Sequence, residues 1–76
     1  MTTLDELAQG ASAVVVRIGG TGELRRRLMD MGVTRGVEIE VLKAAPMGDP
    51  IEYRLRGYHL SLRKAEAQLI EVTVRE

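Results

Sequence analysis

The sequence predicts a mostly β fold, a small barrel of about five short strands with one short helix and one or two helical turns. Three observations carry that expectation. Apolar and polar residues alternate over 37–41, 51–55, 58–62 and 70–74, the period of half-buried strands. Only the stretch 23–31 switches to a period near 3.6. A chain of 76 residues, 45% of them hydrophobic, makes one domain, 1–76, with a small core. Strands that share one apolar face in so short a chain bury it best by curling the sheet on itself, which also shelters its edges.

Taken in order, Thr3 and Glu6 stand at the spacing of a capping box. A helical turn is therefore expected over Leu4 to Ala8, with Leu4 and Leu7 plugging one end of the core and Gly10 closing the turn. Residues 12–18 are β-branched and mostly apolar, a strand with Val14, Val16 and Ile18 on one face and Val15 and Arg17 on the other. Gly19-Gly20-Thr21-Gly22 lacks both the lysine of a phosphate-binding loop and the glycine spacing of a dinucleotide fingerprint. It reads as a sharp strand-to-helix turn with Thr21 as N-cap. Leu24, Leu28 and Met31 then share one helical face. Glu23 and Arg27, and Arg26 and Asp30, stand four apart as expected helical ion pairs, and Gly32 sits where a left-handed cap is wanted.

Val37 to Val41 is the cleanest alternation in the chain. Ala45 to Pro50 is a loop stiffened by two prolines. Ile51, Tyr53 and Leu55 point inward, Gly57 permits a tight reversal, and Tyr58 to Leu62 returns as a strand. Lys64 to Ala67 is long enough for one helical turn, and Leu69 to Val74 closes the chain with Ile70, Val72 and Val74 inward. Ile39, Tyr53, Leu60 and Val72 are expected to converge on one core. A small SH3-like barrel follows.

Composition narrows the function. Eleven basic residues balance eleven acidic ones, which argues against bulk attraction to nucleic acid or an anionic membrane. With no Phe or Trp and two Tyr, the chain is poorly equipped to stack single-stranded bases. Absence of cysteine removes disulfides, thiolate metal sites and a cysteine nucleophile. The longest purely apolar run, Ala13 to Val16, is far below the roughly 20 residues of a membrane span. Acidic residues stand near the N-terminus where a signal peptide carries basic ones. These features describe a soluble intracellular module. Arg25, Arg26 and Arg27 fan around about 200° of a helix and make no single basic patch.

The catalytic inventory is thin. No base and orienting group can be assigned to a Ser or Thr hydroxyl, and the carboxylates at 38, 40 and 52 fall on solvent-facing strand positions. No enzyme activity is expected. His59 is the one histidine, with Asp49, Glu52 and Glu66 as neighbours for a metal, and one imidazole among carboxylates is a poor transition-metal site.

From the helix onward the chain becomes specific. Arg27-Leu-Met-Asp-Met-Gly-Val33, then Gly36, then Ala45-Pro-Met-Gly-Asp-Pro-Ile51, then Arg56-Gly-Tyr-His-Leu-Ser-Leu-Arg63 and Ile70-Glu-Val72 together resemble the FeoA family. The resemblance runs from Leu4 to about Val74 and departs from the common pattern at Arg35, where many relatives carry proline. It implies an SH3-like barrel, cytoplasmic and recruited to the inner face of the membrane. Its implied partner is the cytoplasmic part of FeoB, a GTP-binding ferrous iron transporter. A similar domain ends the DtxR-type iron repressors, so the alternative is a metal-responsive module binding divalent iron weakly through His59 and carboxylates. No metal ligand, cofactor or nucleic-acid partner is carried over.

The working surface is sought where motif residues lack a core role. Arg27, Asp30, Asp49 and Arg63 meet that condition, and Met29, Val33, Arg35 and Met47 add apolar and cationic contact groups at the helix end and the loops 33–36 and 46–50.

Overall fold

The computed structural model describes residues 2–75. Six strands form one antiparallel sheet: β1 (Thr2–Thr3), β2 (Ser12–Ile18), β3 (Glu38–Ala44), β4 (Ile51–Leu55), β5 (Tyr58–Leu62) and β6 (Ile70–Val74). Their spatial order is β1-β6-β2-β3-β4-β5. Two helices, α1 (Gly22–Asp30) and α2 (Lys64–Ala67), and a 3₁₀ turn at Leu4–Glu6 complete the fold. The sheet curls around a single core. Its two edge strands, β1 and β5, lead directly into the 3₁₀ turn and toward α2, and these helical pieces pack on each other across the seam.

Leu4, Ile39, Tyr53, Leu55, Leu62 and Ile70 are all buried in that core. Tyr53, Ile39 and Val72 converge as expected, while Leu60 is only partly buried and Leu62 takes the deeper place on β5. The 3₁₀ turn is anchored by the Thr3 N–H, which donates to the Glu6 carboxylate at 2.8 Å. That bond, joined by the Thr3 hydroxyl, holds the Glu6 carboxyl below the usual carboxylate range.

Two expectations fail, each for its own reason. On β2 the buried residues are Ala13 and Val15, whereas Val16 is exposed. A register shift between Val15 and Arg17 against β6 then returns Ile18 to the core side. A bulge adds one residue to a strand and resets which face each side chain takes, so simple alternation misassigns the strand. Val74, expected inward, is 43% exposed because β6 runs beyond the core at its end. A second shift, between Val41 and Lys43, bends β3 against β4.

The helix departs from its expected ion pairing. Arg27 reaches Glu66 on α2, 39 residues away, instead of Glu23 on its own helix. No pair joins Arg26 to Asp30 among the described residues. Gly32 caps α1 at a φ of 96°, in the left-handed region.

Candidate functional site

The structure sorts the candidate contact residues by burial. Val33 is fully buried, its N–H bonded to the Leu28 carbonyl at 3.0 Å. It belongs to the core and is corrected out of the contact set. Asp49 lies on the surface with a structural task, accepting a hydrogen bond from the Lys64 N–H at 2.9 Å. That bond ties the 45–50 loop to the start of α2.

Arg27, Arg63 and Asp49 come together around α2. Arg63 is the N-cap residue of α2, and its N–H donates to Glu66 Oε1 at 2.7 Å. The other oxygen of Glu66 takes the Arg27 guanidinium. One carboxylate thus joins α1 to the first turn of α2. Arg27, Met31, Pro50, Ser61, Arg63 and Glu66 line a shallow groove there. Arg63 has no carboxylate partner among the described residues and presents a free guanidinium to it.

Met29 and Asp30 face a different groove, shared with Gly20, Thr21, Gly22, Arg25 and Arg26. Met29 is 39% exposed and Met47 is 92% exposed at the tip of its loop. These thioethers leave apolar area that the fold does not cover. Arg35 is exposed in the turn between α1 and β3, held by the Gly36 N–H on the Val15 carbonyl and the Val37 N–H on the Thr34 carbonyl. Met29 and Asp30 therefore lie on one side, Arg27, Asp49 and Arg63 on another, and Met47 and Arg35 on separate loops.

His59 Nδ1 lies 3.3 Å from Glu52 Oε2, and Glu52 also lies 3.9 Å from Lys43 Nζ. Glu66 and Asp49, the other residues considered with His59, are engaged at α2. No group of three or more potential metal ligands occurs among the described residues. No helix among them is long and apolar enough to cross a membrane.

Arg56 and Tyr58 stand outside the candidate contact set, in the 56–59 hairpin that is the alternative contact surface on sequence grounds. Arg56 is the one described non-glycine residue at positive φ, and Tyr58 is 42% exposed beside it. Arg-Gly at a two-residue hairpin, where Asn-Gly is the ordinary choice, was the available signal.

Comparison with known proteins places these features in context. The FeoA domain profile matches residues 2–74. The chain is 45% identical over 69 residues to an Fe(2+) transport protein A/Fe(2+) transporter FeoB fusion protein of Porphyromonas gingivalis. That match takes in 91% of this chain and spans 8% of the fusion protein. An FeoA-like protein from Clostridium acetobutylicum superposes with a TM-score of 0.88 at 49% identity, covering 97% of this chain and 90% of that one. Stenotrophomonas maltophilia FeoA, solved in complex with zinc and described as an SH3 domain protein, gives a TM-score of 0.85 at 28% identity, over 96% and 91% of the two chains. A manganese-dependent transcriptional repressor at 20% identity shares the fold, with a TM-score of 0.87 over 96% of this chain and 40% of that one.

Proposed function

The chain belongs to the FeoA domain family of ferrous iron transport, and from that premise we propose that it is a non-enzymatic interaction module that binds and modulates a FeoB-type transporter from the cytoplasmic side. The observation that carries this reading is the fusion relative, in which a domain 45% identical to this one is continuous with the transporter. Two domains joined in one chain work at high effective concentration, and separate chains replace that linkage with an interface. The fold suits such a role: the barrel presents loops and one helix as contact surface. Met29, beside Asp30 in one groove, and Met47 at its loop tip are the proposed apolar contacts, and Arg27 and Arg63 are polar contacts on the groove at α2. Binding needs no resident cofactor.

The test is co-purification of the tagged chain with the FeoB-type transporter of the same genome, with and without guanine nucleotide. Retention on the transporter supports the reading. Failure to co-purify in either state contradicts it.

A second reading, weak divalent-metal binding, has one observation in its favour, the His59–Glu52 pair. Two side chains leave most of a transition-metal coordination shell to water, which sets low affinity. Anaerobic calorimetric titration with ferrous and manganous ions separates the readings, because binding that requires His59 favours the second.

A further inference from the structure

The zero net charge of the chain conceals an uneven distribution. Glu38, Glu40, Glu52, Glu66 and Glu71 are each engaged by a basic side chain of the same molecule. Arg25, Arg26, Arg35, Arg56, Arg63 and Lys64 are exposed and have no such partner among the described residues. Of these, the topology puts Arg35 and Arg56 at one end of the sheet. Ile39 pairs with Leu55, so the residues that precede β3 run out beside the β4–β5 hairpin tip that holds Arg56 and Gly57. Val37 lines the same groove as Arg56 and Gly57, together with Glu38 and Glu40, whose carboxylates are engaged by Arg75 and Arg54. From the other side, Gly32 sits under the Tyr58 hydroxyl, while the 34–37 turn is held on β2, the Gly36 N–H donating to the Val15 carbonyl at 2.8 Å.

The backbone adds an independent observation. Arg56 has a φ of 50°, a left-handed conformation that a bulky side chain adopts at a cost and that Gly, Asn or Asp takes more readily. Its side chain is exposed, so packing does not explain why arginine stands there. Backbone strain at an exposed charged residue runs from observation to a hypothesis of function. Next to it the half-exposed ring of Tyr58 supplies the amphipathic area common in protein interfaces.

We infer that Arg35, Arg56 and Tyr58 form a docking corner for an acidic segment of a protein partner. Guanidinium forks match carboxylates in bidentate geometry, and an aromatic ring alongside covers the apolar stems of the acidic side chains. Two cations are too few for the clusters of 4–8 Lys or Arg that hold a protein on anionic lipid, which makes a protein carboxylate the fitting ligand. The inference rests on the proposed association with a FeoB-type transporter and names the chemistry of one contact in it.

The test titrates detergent-solubilised FeoB-type transporter with the full chain, with R35E/R56E, and with Arg56→Gly, at low and high salt. Circular dichroism checks that each variant is folded. Arg56→Gly relieves the left-handed backbone and should melt higher than the parent while binding more weakly, a combination that loss of folding cannot produce. The charge reversal should weaken binding by roughly tenfold or more and flatten its salt dependence. If the parent chain binds and both variants bind equally well, the docking corner is wrong while the association stands. If the parent does not bind at all, the association itself fails. Vesicles containing anionic lipid form a second arm, and retention of the parent but not of R35E/R56E on them overturns the inference in favour of a membrane contact.

Discussion

Asp49 accepts a hydrogen bond from the backbone N–H of Lys64 at 2.9 Å, so the loop between β3 and β4 caps the helix between β5 and β6. An acid of the A-P-x-G-D-P-I segment that looks available for binding is committed to joining two connections. Lys64 is the first residue of α2, where backbone N–H groups lack partners within the helix. Replacing Asp49 with Ala should cost about 1 kcal/mol, while Asp49→Asn keeps an acceptor and loses less. Urea midpoints of the two variants check the order.

Gly32 is restricted twice. Its φ of 96° disfavours any side chain, and a Cβ built there would lie 2.6 Å from the Tyr58 hydroxyl oxygen. Gly32→Ala should cost about 1–2 kcal/mol for the backbone alone, with the steric contact in addition. In a Tyr58→Phe background only the second part is recovered. Thermal melts of the four proteins give both parts, and equal losses in the two backgrounds would show that Tyr58 yields without cost.

Leu62 is 1% exposed and Leu60 is only partly buried, although both stand on β5. Leu62→Ala should therefore cost on the order of 2–5 kcal/mol, and Leu60→Ala less. In a domain whose total stability is about 5–15 kcal/mol at best, the first change threatens folding. Denaturant titration ranks the pair.

Tyr53 carries a buried hydroxyl with no hydrogen-bond partner among the described protein atoms. Burial, with a smaller contribution from the Asp5 charge, pushes its pKa up. A folded pKa above the unfolded one means full stability below about pH 10, then loss as pH rises and the unfolded tyrosine ionises. Tyr53→Phe should remove that alkaline slope. It should also be neutral or stabilise by about 1 kcal/mol near pH 7, because an unsatisfied polar atom leaves the core. Melting temperatures between pH 7 and pH 11 or so check both statements.

Most of the barrel was legible because period-2 alternation marks a face whenever a strand is regular, as over Ile51, Tyr53 and Leu55. What stayed hidden arises from interactions distant in sequence. The bulge before Arg17 depends on how β2 pairs with β6, and no local pattern announces it. Arg27 has a plausible partner four residues away and takes Glu66 instead, since tertiary packing brings α2 to its side. The strand at Thr2–Thr3 is too short to show a period and exists because β6 offers it an edge. At the candidate surface, exposure of Met29 and Met47 was inferable from their places at a helix face and a loop tip. Burial of Val33 was not, because a residue just past a helix cap turns inward or outward according to what packs on it. The left-handed backbone of Arg56 was not legible because Gly57 alone already accounts for a tight reversal.

The most direct measurement is a binding titration of the detergent-solubilised FeoB-type transporter with the fluorescently labelled chain, run beside a Met29→Asp/Met47→Asp double variant of unchanged circular dichroism. An interaction module predicts saturable binding by the parent chain and a loss of roughly tenfold or more in the variant, whose exposed thioethers have become charges. No binding by the parent chain, with or without guanine nucleotide, would contradict the account.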